Sequence, residues 1–195
     1  MRRPDLVPDC ASCAAVCCIA TSFDASEDFA FDKAAGVGCQ YLGRDCRCAI
    51  HEELLDRGFR GCAVYDCFGA GPRVTRAFAG MEDCDRERND AFLILRVVHE
   101  QLWLLTEAGR LCNRVSLDAR LADEDRREIV RSVSREIDRE IDVLDAIARL
   151  APVDLVALDP RAHVDRTRAL LRHVGDALGG RRRTVHLLVS ESGHE

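Results

Sequence analysis

Apolar positions recur along the second half of the chain with a helical step. In "RERNDAFLILRVVHEQLWLLTEAGRL", residues 86–111, Phe92, Leu95, His99, Leu102 and Thr106 follow one another at three- and four-residue intervals beside Trp103, which predicts a buried helix. Residues 124–150 repeat the device. Ile129, Val133, Ile137, Ile141, Leu144 and Ala148 form one stripe, with Arg and Glu/Asp on the other faces at salt-bridge spacing. A third helix opens with Asp159 as N-cap and Pro160 in its first turn. It carries Val164, Thr167, Leu171, Val174 and Leu178 before Gly179-Gly180 ends it. Short links between the three predict an antiparallel bundle.

The first third has no such period. From about residue 20 to 70 the chain has many glycines and few large aliphatic residues, too little apolar surface to offset its chain entropy unaided. What it has is cysteine. Of the 11 cysteines in 195 residues, nine lie in the first 67, a density that marks a cysteine-built scaffold. The reading is a mainly α protein with an irregular Cys-rich metal-binding module (1–71), a helical bundle (72–180) and a solvated tail (181–195).

Arg2 and Arg3 before "ASCAAVCCIA" imitate a secretory leader, but Pro4, Asp5, Pro8 and Asp9 break it, and export would discard the cysteines that define the region. The expectation is therefore a cytoplasmic protein, where clustered thiols serve as metal ligands more readily than as bridges. No apolar run reaches the ~20 residues of a membrane span. A net charge of −6 with both signs mixed gives nucleic acid no basic face, and the one Arg run, Arg181–Arg183, is short. The only lysine, Lys33, is read as a mark of a GC-rich genome without functional weight.

In "DCASCAAVCCIA", Asp9 can N-cap a helix running to Ala20. Cys10, Cys13 and Cys17 then stand at i, i+3 and i+7 on one face, while Cys18, turned by about 100° from Cys17, has to serve a second centre or pack as a small hydrophobe. Further ligands come from Cys39, Cys46, Cys48, Cys62 and Cys67 among the glycines that follow. His51 beside Glu52 and Glu53 reads as a surface helix residue, and His99 as a core histidine near Trp103. His163 and His173 share no helix face. "CFGAGP" lacks the Lys and the strand–helix context of a phosphate loop, so no nucleotide is expected, and no Ser-His-Asp or paired-carboxylate constellation stands out.

Cys10-x2-Cys13-x3-Cys17-Cys18, Cys39 with Leu42, Cys48-x-Ile50, Cys62 and Cys67 resembles the YkgJ-type cysteine cluster family, the zinc- or iron-chelating CxxCxxxCC domain. "DKAAGVGCQYLGRDCRCAIHEELLDRGFRGCAVYDCFGAG" is similar to the domain at the front of many actinobacterial pentapeptide-repeat proteins. The resemblance implies metal or iron–sulfur binding through Cys10, Cys13, Cys17, Cys18, Cys39, Cys48, Cys62 and Cys67, and leaves Cys46, Cys84 and Cys112 aside. Where the wider family carries Arg-Pro before its penultimate cysteine, this chain has Gly58-Phe59-Arg60-Gly61, and His51 stands where that family has Tyr. No pentapeptide repeat follows in this sequence. The clustered ligands and the vicinal pair depart from the separated CxxC knuckles of structural zinc sites, which favours an iron–sulfur cluster over zinc. Eight thiolates exceed the four that one centre takes, so two centres or some structural cysteines are implied. Two functions of different class follow: an iron–sulfur redox or modifying enzyme of unknown substrate, or a zinc-stabilised interaction scaffold whose bundle meets an unidentified protein partner.

Overall fold

The computed structural model describes residues 4–116 and 124–179. The tail expected over 181–195, with Arg181–Arg183, lies outside the described residues, as does Gly180. Among the described residues seven α-helices carry the fold: α1 (Val16–Ala20), α2 (Arg60–Val64), α3 (Ala70–Ala77), α4 (Asp85–Ser116), α5 (Glu124–Ala148), α6 (Pro152–Val156) and α7 (Arg161–Ala177). Among the described residues β-structure is limited to two isolated bridges, Phe23 with Lys33 and Leu42 with Cys48. The expected class, mainly α with an irregular Cys-rich region before a helical bundle, is what the chain adopts.

The apolar stripes explain why α4, α5 and α7 pack together. Phe92, Leu95, Val98, Leu102 and Leu105 line the inner face of α4 and are fully buried against Ile137 and Leu144 of α5 and Leu170 of α7. At the start of α4, Asp85 and Glu87 suit the positive end of the helix dipole. On α5 the expected stripe is the buried face from Val133 to Ala148, with Ile141 partly buried against the core, and it fails only at its first position. Ile129 is 54% exposed and Val130 only 1%; both are in helical phase with Val133 and Ile137, and Val130 is the one that joins the core shared with α4 and α7. On α7, Thr167, Leu170, Val174 and Ala177 point inward while Leu171 and Leu178 flank the core. The N-cap of this helix is Pro160 rather than Asp159; Asp159 stands one residue further out, its Oδ1 accepting the Arg161 N–H at 3.0 Å. The short α6, which the pattern does not predict, brings Leu155 into the core.

The core does not stop at the cysteine-rich region. Leu6, Val16, Ala20, Ala70 and Val74 are buried in the same cluster as the α4 residues, and the Gly71-Pro72 step falls inside α3. A second, smaller cluster sits in the loops between α1 and α2. Phe59, Ile50 and Leu54 are buried there beneath Phe23, Phe29, Phe31 and Tyr41. Phe23 and Phe29 stack at 4.3 Å, and Phe59 meets Phe31 and Tyr41 edge-on at 5.2 and 5.6 Å. A region poor in aliphatic residues thus packs on aromatic ones, each of which brings a large apolar area.

The exposure of Ile129 on α5 is directly testable by urea denaturation. Ile137→Ala should cost about 2–5 kcal/mol, as buried large-to-small changes do, whereas Ile129→Ala should stay within about 0.5 kcal/mol. Comparable losses at the two positions would contradict the packing described.

Candidate functional site

The continuous helix expected over residues 9–20 is broken. Asp9 caps only one tight turn, Cys10–Ser12, with its Oδ1 accepting the N–H groups of Ala11 (3.1 Å) and Ser12 (3.3 Å). Cys13 is extended and Ala15 left-handed at φ 53°, so the helical ladder restarts at Val16. The Ala14 N–H, which a continuous helix would use internally, instead donates to Thr75 Oγ1 on α3 at 3.0 Å. The i, i+3, i+7 geometry is therefore lost, yet the break folds the strip back so that its thiols still gather.

Cys10, Cys13 and Cys17 face Cys67 across a cavity of about 20 Å³, walled otherwise by Asp9, Gly71, Pro72 and Phe92. Two glycines make the approach feasible. A Cβ at Gly71 would sit 2.8 Å from Cys13 Sγ and 3.8 Å from Cys67 Sγ. At Gly69, φ is 79° and a Cβ would strike the Asp5 carbonyl, so only glycine lets the chain turn from Cys67 into α3. The Cys67 loop is clamped to the bundle through its neighbour: His99 Nδ1 donates to the Phe68 carbonyl at 2.8 Å, and the Phe68 ring lies 5.6 Å from Trp103. His99 is thus the core histidine expected, with a tethering task.

The remaining four family-type cysteines form a separate neighbourhood. Cys18 leaves α1 on another side, and its carbonyl accepts the Cys39 N–H at 3.1 Å. Cys48 is positioned by its bridge to Leu42 and Cys62 by α2. After burial, the charges of Cys18, Cys39 and Cys48 raise Cys62 and that of Lys33 opposes them, whereas those raising Cys10 come first from Cys67 and Cys13 and then from Cys18 and Asp9. The eight thiols therefore divide into two groups of four, Cys10, Cys13, Cys17 and Cys67 in one and Cys18, Cys39, Cys48 and Cys62 in the other. They touch through the vicinal pair, whose Sγ atoms are 4.0 Å apart. All eleven cysteines are free thiols. Among the described residues no group of three or more His, Cys, Asp or Glu side chains has closed to metal-coordination geometry.

Lys33, which the sequence pattern leaves without functional weight, lies at the centre of the cysteine region's hydrogen bonding. It is only 6% exposed, and its Nζ donates to the carbonyls of Ile19 (3.1 Å), Ala34 (3.2 Å) and Thr21. Two of those carbonyls lie at the end of α1, where a cation complements the helix dipole. A signal was present: of 28 Lys and Arg residues it is the one lysine, placed among the cysteines. Cys46, Cys84 and Cys112 stay outside both groups. Cys46 is exposed on a turn at φ 59°, Cys84 Sγ reaches the Met81 carbonyl at 3.5 Å, and Cys112 is buried in the bundle. His51 is exposed in a short turn, and His163 bonds to Glu140 at 2.8 Å.

The vicinal pair is electrostatically asymmetric. The Cys17 thiol donates to Cys18, which together with the Lys33 ammonium, and against burial, holds Cys18 down to about 7. The same hydrogen bond, reinforced by burial and by the Cys18 charge, pushes Cys17 up. Burial, followed by the charges of Cys18, Cys39 and Cys48, raises Cys62 to about 11. Burial also raises Cys10 and Cys48.

These features define a helical protein whose N-terminal loops gather eight thiols into two neighbouring groups of four. No family model matches the chain, and no solved structure matches it. It is 33% identical over 165 residues to a Bacillus subtilis (strain 168) protein described as "Uncharacterized protein YybG". That match takes in 82% of this chain and 53% of the relative, so the chain spans about half the length of the curated protein it resembles.

A lowered pKa means that the thiolate persists to lower pH. In metal-free protein, alkylation followed by peptide mass spectrometry should show the Cys17–Cys18 pair losing its first proton near pH 7, with Cys62 reaching half-maximal reactivity only near pH 11. Coincident profiles for Cys18 and Cys62 would contradict the assigned surroundings.

Proposed function

We propose that the chain binds two metal centres, each held by four thiolates, and that the metals organise its N-terminal region into a binding module seated on the helical bundle. The observation that carries this reading is the division of the thiols, with α1 sending Cys17 to one group and Cys18 to the other. Two adjacent helical residues are about 100° apart and cannot readily serve one ion. One for each of two four-ligand centres is the arrangement that uses both.

The donors suit a soft or borderline metal, since four thiolates, with Asp9 the one carboxylate at the first cavity and its Oδ1 already capping Ala11 and Ser12, favour zinc or an iron–sulfur centre over magnesium or calcium. The cavity between Cys10, Cys13, Cys17 and Cys67, at about 20 Å³, has room for one atom. That supports a single ion such as zinc at the first centre. It also removes the reason the vicinal pair gave for preferring a cluster, because each centre takes only one member of the pair. Gly71 keeps its wall low enough for a ligand sphere to form. A zinc ion with four protein ligands keeps no open position for a substrate, so the metal would contribute folding free energy, on the order of several kcal/mol, rather than turnover. The module then acts by presenting a surface to a protein partner.

Purification without oxygen, followed by analysis of zinc, iron and acid-labile sulfide, tests the reading. Two zinc ions per chain are expected. Cys13→Ser and Cys62→Ser should each lose one, whereas Cys84→Ser and Cys112→Ser should lose none. Iron with equivalent sulfide would transfer the same two thiol groups to the redox reading. A metal-free protein with oxidised cysteines, or equal metal loss from all four variants, would end the proposal.

A further inference from the structure

A buried ammonium normally pairs with an anion, because removing a charge from water costs several kcal/mol that neutral partners do not fully offset. The three hydrogen bonds of Lys33 all go to backbone carbonyls, and among the described residues no carboxylate pairs with it. Burial lowers its pKa, and the thiols of Cys39, Cys18, Cys17 and Cys62 act against that; the Gly36 N–H on the Ile19 carbonyl (2.9 Å) and the Cys39 N–H on the Cys18 carbonyl (3.1 Å) lay the Lys33 segment along the same end of α1. Three of those four thiols belong to the second thiol group. Aromatic surface closes another side, with the Phe23 ring centroid 5.8 Å from Nζ.

The first thiol group has the opposite neighbour. Asp9 lines its cavity beside Cys10 and adds a negative charge there. Arg76 offsets part of that charge from a distance, and water screens Asp9. Four thiolates around a divalent ion carry a net charge of about −2. Lys33 would reduce that at the second centre, and Asp9 would add to it at the first. The two centres thus share one ligand chemistry in unlike fields.

We propose that Lys33 is the built-in counter-cation of the second thiolate group, and that its charge makes Cys18, Cys39, Cys48 and Cys62 the first of the two groups to take up a divalent metal ion. This rests on the metal-binding reading above and adds an order of filling to it. Lys33 is a positioning and charge-compensating residue, not a ligand. By also holding the Ile19 and Thr21 carbonyls it fixes the end of α1, so filling of the second group leaves Cys17 already set for the first.

The test uses the full-length, reduced, metal-free chain and zinc ion alone. After one equivalent of zinc, a short alkylation pulse read by peptide mass spectrometry should find Cys39, Cys48 and Cys62 protected and Cys10, Cys13 and Cys67 still reactive. Chelator competition then measures each group's affinity. Lys33→Gln, which keeps hydrogen-bond donors but removes the charge, should weaken the second group by about tenfold to a thousandfold, the range of one nearby charge acting on one ionisation. Lys33→Arg should retain the order of filling. If Lys33→Gln binds as the parent does, the lysine works only through its hydrogen bonds and the counter-cation is refuted. Filling of the first group before the second, or of both together, also refutes it while leaving the two-centre reading intact. Failure of the parent chain to bind zinc at all would refute both.

Discussion

One short helix sets the geometry on which both thiol groups depend. In α1, Val16 and Ala20 are buried in the bundle core, and between them Cys17 and Cys18 necessarily leave on different sides because successive helical residues are turned by about 100°. Cys17 closes the group that backs onto α3 and α4. Cys18 faces the loops and receives the Cys39 backbone through its carbonyl. The helix has only five residues, too few to be stable alone, so its orientation comes from the core beneath it and from the contacts made by its C-terminal carbonyls. Lys33 holds two of those carbonyls.

The cysteine region is accordingly not a separate bead on a string. One half of it, through Leu6, Val16, Ala20 and the Cys67 loop, is built into the bundle, with His99 tethering Phe68 from the centre of α4. The other half has its own aromatic cluster around Phe59. The two thiol groups follow this division. The first lies against the large core, and the second lies in the loops supported by the small one. Under the two-centre proposal, loss of metal from the two would have unequal structural consequences, since only the first group shares packed surface with the bundle.

Much of the bundle was legible in the sequence because helical periodicity is a local signal. The α4 stripe through Phe92, Leu95, His99 and Leu102 is the buried face, and the start of α7 lies one residue beyond the expected cap, with Pro160 at the N-cap and Asp159 accepting the Arg161 N–H from just outside. The error on α5, Ile129 for Val130, arose where two adjacent aliphatic residues satisfy the pattern and only the partner helix chooses between them. In the cysteine region the spacing gave the membership of the first three thiols and the divergence of Cys18, but not the path. The break at Ala15 depends on Thr75, sixty residues away along the chain, and no local pattern encodes such a contact. Lys33 was passed over because its chemistry lies in its burial, which a single residue in a polar loop does not announce.

The central claim is the division of eight thiols into two groups joined through a vicinal pair, and cadmium substitution reads it most directly. Cadmium NMR of the loaded, full-length protein should give two resonances of equal intensity in the tetrathiolate region. One should couple to the β-protons of Cys10, Cys13, Cys17 and Cys67, and the other to those of Cys18, Cys39, Cys48 and Cys62. A single resonance, or one resonance coupled to both Cys17 and Cys18, would contradict the account.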